Sequence, residues 1–265
     1  MKKSDDLLKA ELDSCFQFWD DFIRKWLKGN LDTIVSIPKD TDIEHLPEPW
    51  WGWNGNESLN SVVINYHPGP GGLPQSRKMI EELFSNDFSY RELMGNELKP
   101  QLSEQQKQIG VRKTTDDWHL YFRAKKFEGI LGEPVSDTFR HLSIEFSPFH
   151  NDNYRKVWGY VKSNPEIVKR YILGFAAIAA KIGINNNSPL HNKVFVRISK
   201  HNFEKYLNAL KLTPEATGTP SFKLRFANSN YSVHSYIIEE WPDTEFIVVT
   251  GNRNYFPKLK NNNLL

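Results

Sequence analysis

One cysteine, three methionines and no apolar run of membrane length already bound this 265-residue chain. The single thiol, Cys15, excludes an internal disulfide and a cysteine-built zinc cage, which suits a reducing compartment. A membrane helix needs about 20 consecutive apolar residues. The longest apolar stretch here, YILGFAAIAAKIGI, is shorter and is interrupted by Lys181. The opening MKKSDDLLKAELD sets acids where a secretory leader needs apolar residues. The expectation is a cytoplasmic protein without membrane association. Net charge is scarce as well, since 34 Lys and Arg against 32 Asp and Glu leave +2. No long-range field gathers nucleic acid, so any such contact has to use a local patch.

Aromatic residues are abundant: 8 Trp, 10 Tyr and 17 Phe. With 39% hydrophobic and 25% charged residues the composition is that of a folded chain, and its length suits one large domain over residues 1–265. Most of the rings are expected in the core, although aromatics also line pockets for flat ligands.

Residues 5–28 repeat apolar positions at helical spacing through Leu8, Leu12, Cys15, Trp19, Phe22, Ile23 and Trp26, with Ser4 to cap the start and Gly29 the end. Prolines, glycines and asparagines then impose an irregular segment ending in LPEPWWGWNGNESLN, whose Trp50, Trp51 and Trp53 form a wall, a lid or a plug. SVVINY, HLSIEF, KVFVRIS, FKLRFA, SVHSYII and EFIVVTG read as strands. Helices are expected over 76–84, 116–131 and 164–183, the last with Asn164 as N-cap, and in the segment that Ser199 caps. Residues 86–115 read as surface loops or a short helix, and 258–265 as a flexible tail. Strands interleaved with helices predict an α/β fold, a layered domain with a mainly parallel central sheet. Ligands of such sheets bind beyond the carboxyl ends of the strands, where the topology reverses.

Three strands end in segments of the right character. SVVINY runs into HPGPGG, where Pro68 and Pro70 fix the backbone and Gly69, Gly71 and Gly72 let a ligand come close; His67 is the titratable group there. HLSIEF runs into SPFHN, with Phe149 suited to stacking on a planar ring and His150 to proton transfer. EFIVVTG runs into NRNYFP, where the amides of Asn252 and Asn254 can read a base edge and Arg253 can meet a phosphate or carboxylate. HPGPGG is no Walker loop, because no Lys-Ser/Thr pair follows it.

LPEPWWG followed by SVVINYHPGPGG resembles the PEP-x-x-G, strand and NPG opening of uncharacterised proteins in the uracil-DNA glycosylase-like superfamily, and HLSIEFSPFHN is similar to that group's strand and PYHS-type turn. The resemblance implies a three-layer α/β/α sandwich, and a crevice at the strand ends where active members hydrolyse the glycosidic bond of a flipped base. It gives His67, Pro68 and Gly69 the first-turn role, Phe149 the stacking role and Asn252 to Asn254 the late-turn role. Two departures stand out: His67 occupies the position where active members carry Asp or Asn, and GNRNYFP lacks the late histidine.

The function expected is therefore recognition of a nucleobase, in DNA or a nucleobase-containing ligand, with hydrolysis of an N-glycosidic bond as the reaction and no cofactor required. The alternative is a non-catalytic module that binds a nucleotide or small planar ligand in the same crevice. A metal-assisted hydrolase built on His67, His150 and Glu145 is the weakest reading, because two distant histidines carry no ligand spacing.

Overall fold

The computed structural model describes residues 4–39, 41–66, 81, 89–95, 140–150, 154–216 and 232–250. Helix α1, Asp5–Leu27, forms as its periodicity requires, and its buried stripe runs from Leu8 to Trp26. The Ser4 side chain accepts from the Leu7 amide, and Asp5 and Asp6 at the start and Arg24 and Lys25 at the end complement the helix dipole. Gly29 ends it at φ 70°, a conformation that favours glycine.

Seven strands make one sheet: β1 Trp50–Trp51, β2 Ser61–Asn65, β3 His141–Glu145, β4 Lys193–Val196, β5 Pro214–Ala216, β6 Ser232–Ile238 and β7 Trp241–Thr250, in the order β1-β3-β2-β4-β7-β6-β5. The sheet is mixed, which corrects the expectation of a mainly parallel one. The central strands β3, β2, β4 and β7 are parallel, whereas β1, β6 and β5 pair antiparallel. The reason is local. Only Glu239 and Glu240 separate β6 from β7, and so short a turn can join only antiparallel strands.

Between β3 and β4 lie α3, Tyr154–Ser163, and a helix in three parts: α4 Pro165–Val168, a π-helical turn Lys169–Gly174 and α5 Phe175–Ile182. The short α2, Tyr90–Gly95, precedes β3, and α6, Lys200–Ala209, follows β4 with the Ser199 side chain accepting from the Asn202 amide. The π turn loosens the usual carbonyl ladder. Two carbonyls of that turn meet α1 instead: Tyr171 O accepts from Trp19 Nε1 at 3.1 Å and Arg170 O from Cys15 Sγ at 4.0 Å.

Asn164 stands at the N-cap position of α4, as the sequence reading has it, but its side chain makes no capping hydrogen bond. Its Oδ1 accepts from Ser36 N at 2.6 Å and its Nδ2 donates to Ser36 O at 2.8 Å, so the amide brackets one residue of the segment after α1. A buried amide that satisfies both backbone groups of a distant residue joins two stretches of chain that share no ladder.

Trp50, Trp51 and Trp53 are all buried, with Trp50 packed edge-on against Phe16, Tyr90 and Phe175. Trp50 and Trp51 are themselves the edge strand β1, and Trp50 joins it to Phe16 of α1 and Phe175 of α5 as a plug. No described helix is long and apolar enough to cross a membrane.

Candidate functional site

In chain order β2 is followed by β3 on one side of it and then by β4 on the other. The topology therefore reverses between β2 and β4, and their carboxyl ends flank the place where open α/β sheets take ligands. β2, β3 and β7 run parallel, so the three turns singled out in the sequence leave from the same edge of the sheet. β2 and β3 are direct neighbours, with Asn65 paired with Glu145, while β4 separates β2 from β7. His67, Pro68, Gly69, Gly71, Asn252, Arg253 and Asn254 lie outside the described residues, as do the expected helix over 76–84 except residue 81, the expected helix over 116–131, the strand FKLRFA and the tail.

What the described residues add is a polar layer inside the parallel core. Ser61, Asn65, His141, Ser143 and Glu145 share one face of β2 and β3, and each is at most 7% exposed. Central parallel strands are ordinarily apolar on both faces, and a polar group out of water is costly unless it is hydrogen-bonded. Here the groups bond to one another. Asn65 Nδ2 donates to Ser143 Oγ at 2.7 Å and to Glu145 Oε1 at 3.3 Å, and Asn65 Oδ1 accepts from Arg197 Nη1 at 3.2 Å. At the far end Ser61 Oγ meets His141 Nδ1 at 2.8 Å. Asn65 thus ties together β2, β3 and the residue that leaves β4.

Tyr66, the last described residue before His67, is pinned in the same way. Its hydroxyl oxygen accepts from Ser199 N at 3.1 Å and from Asn202 Nδ2 at 2.8 Å, fixing the exit of β2 against the first turn of α6.

Phe149 and His150 are described, and both belong to the wall of the edge. The Phe149 ring is buried between Phe22 of α1 and Tyr160 of α3, at centroid distances of 5.9 and 5.8 Å. His150 Nε2 lies 3.1 Å from Leu46 O and 3.2 Å from Glu48 Oε1. A carbonyl only accepts, so Nε2 carries the hydrogen and shares it with the carboxylate. The His45 ring lies 5.5 Å from that of His150, and His45 Nδ1 meets Asp42 Oδ2 at 2.7 Å. The stretches LPEPWWG and HLSIEFSPFHN therefore lie side by side. Glu48 N donates to Pro148 O at 2.7 Å and Glu145 N to Pro49 O at 2.9 Å, with Trp50 and Trp51 paired to Ile144 and Ser143. Burial drives the Tyr90 hydroxyl well above its ordinary pKa, with the charges of Glu48 and Glu145 adding to the effect.

Among the described residues no group of three or more His, Cys, Asp or Glu side chains is placed to hold a metal ion. Asn65, Tyr66, Ser143 and Arg197 do not figure in the sequence reading of the site, and Glu145 enters it only beside His67 and His150 in the metal-assisted reading. The signal was present in HLSIE, where polar residues recur at every second position, and in SVVIN, whose two ends are polar, both segments being otherwise apolar enough for a central strand. No protein-family model matches this chain, and no curated protein and no solved structure matches it, so the site is read from its own residues.

Proposed function

We propose that the carboxyl edge of β2, β3 and β4 recognises a nucleobase, in DNA or in a nucleobase-containing ligand, and that the reaction is hydrolysis of an N-glycosidic bond. The finer architecture, a three-layer α/β/α sandwich of the uracil-DNA glycosylase-like kind, is part of the same proposal. The observation that carries it is the set formed by the buried Asn65 amide and Glu145 carboxylate with the partly buried Arg197 guanidinium, at the point where the strand order reverses. Buried polar networks of this kind rigidify a site at a cost in desolvation that an apolar core avoids. Glu145, the Cα partner of Asn65 across β2 and β3, is the carboxylate of that set.

The test is an assay of oligonucleotides containing uracil, a thymine mismatch or hypoxanthine. The proposal predicts base-dependent binding with release of free base, and loss of both on substituting His67→Ala in a protein that still folds. Neither binding nor cleavage of any of the three removes it.

A second reading, a non-catalytic module for a nucleotide or planar ligand, is favoured by one observation: Phe149 and His150 are both committed to the wall. Thermal stabilisation by bases without turnover selects that reading over hydrolysis.

A further inference from the structure

Glu145, Asn65 and Arg197 form a graded chain. Glu145 is 1% exposed, Asn65 is 7% exposed, and Arg197 is only partly buried. The amide stands between them, its nitrogen toward the carboxylate and its oxygen toward the guanidinium. A negative group is thereby kept inside and a positive one is delivered toward the edge of the sheet. Of the described residues that end β2, β3, β4 and β7, which are Asn65, Tyr66, Glu145, Arg197 and Thr250, Arg197 carries the positive charge. Its backbone amide donates to Ile64 O at 2.8 Å, so its position is set by the β2–β4 ladder as well as by Asn65.

We infer that Arg197, held by Asn65, stabilises the negative charge that develops on a departing base. The inference rests on the hydrolytic reading of the site. In that reaction the oxygen of water bonds to the anomeric carbon while the carbon–nitrogen bond breaks. The bonding pair leaves on the base ring, water loses one proton to solvent, and the base takes one up. Charge appears on the ring nitrogen and exocyclic oxygens of the base in the transition state. A cation already fixed in place is worth most there, because it needs no reorganisation when the charge forms. Asn65 is a positioning residue in this scheme: it contacts the guanidinium and not the substrate.

The experiment uses the full chain and two oligonucleotides that differ in one base, uracil or 5-fluorouracil, the second being the better leaving group. In Arg197→Gln the rate on uracil falls on the order of 10²- to 10³-fold, and the fall on 5-fluorouracil is about tenfold smaller or less. Arg197→Lys, which keeps the charge, recovers part of the loss, and it carries the comparison alone if Arg197→Gln does not fold. Equal losses on the two bases, or no loss, overturn the inference while leaving the hydrolytic reading in place. A wild-type protein that releases neither base overturns the hydrolytic reading and the inference with it.

Discussion

Asn65 and Glu145 are Cα partners on adjacent parallel strands, and the amide of the first donates to the carboxylate of the second at 3.3 Å in the interior of the sheet. The same amide group serves Ser143 and Arg197, so one side chain satisfies three others. Removing it takes a hydrogen bond from each.

Asn65→Ala is accordingly expected to destabilise the fold by about 2–4 kcal/mol, the range for breaking a buried polar network at one of its members. Urea unfolding measures it. Asn65→Asp makes a sharper comparison, because it sets a second carboxylate against Glu145 while keeping the acceptor for Arg197. A loss under about 0.5 kcal/mol in the alanine variant, typical of surface substitutions, would mean the network does not hold the strand ends together.

The Cys15 thiol, on α1, is buried against the π turn, and burial pushes its pKa up to about 12. A thiol so placed has almost no thiolate near neutral pH. A thiol-reactive dye is expected to leave the native protein unlabelled and to label it once denaturant is added. Rapid labelling of the native protein would show that α1 separates readily from the π turn.

Trp19→Phe keeps an aromatic ring but removes the indole N–H whose hydrogen bond Tyr171 O accepts, together with part of the buried ring volume. The expected cost is about 1–3 kcal/mol from the lost hydrogen bond, with the lost packing added to it. Urea unfolding should show a lower midpoint with an unchanged slope. An unaltered midpoint would mean that the π turn does not depend on α1.

The fold was legible in the sequence where one rule acted alone. The spacing from Leu8 to Trp26 and the Ser4 and Ser199 caps all recur in the structure. It was less legible where tertiary contacts outweighed local preference. Asn164 satisfies the backbone of Ser36 in place of its own helix, and α3 has a pattern that the preceding SPFHNDN obscures. Strand β1 is too short for periodicity to register and exists because β3 offers it an edge. At the site, polar residues at alternate positions of β3 and at the two ends of β2 hide inside segments that pass for apolar strands, and Arg197 sits one residue beyond a strand end. The link among them is made by strand order, which single segments do not carry.

Asp20 tests the electrostatics of the α1–α2 contact. Its carboxyl accepts from Arg91 N at 3.1 Å, and burial raises its pKa above the ordinary 3.8. With the folded value raised, the native state holds the proton longer than the unfolded chain does. Its contribution is most favourable below 3.8 and is lost as pH rises through the folded value. Asp20→Asn keeps the acceptor and removes the titration, so its stability relative to wild type is expected to climb from about pH 4 to about pH 7. Parallel stability curves for the two proteins would contradict this assignment.

The central claim is that a ligand seats where the strand order reverses, between the ends of β2 and β4. Amide chemical-shift mapping of the full chain against a uracil-containing oligonucleotide tests it most directly. The account predicts shifts at Tyr66 and along Arg197 to Asn202, with Asn60 and Arg140 at the opposite edge unmoved. Shifts confined to that opposite edge, or none on addition of any base-containing ligand, would contradict it.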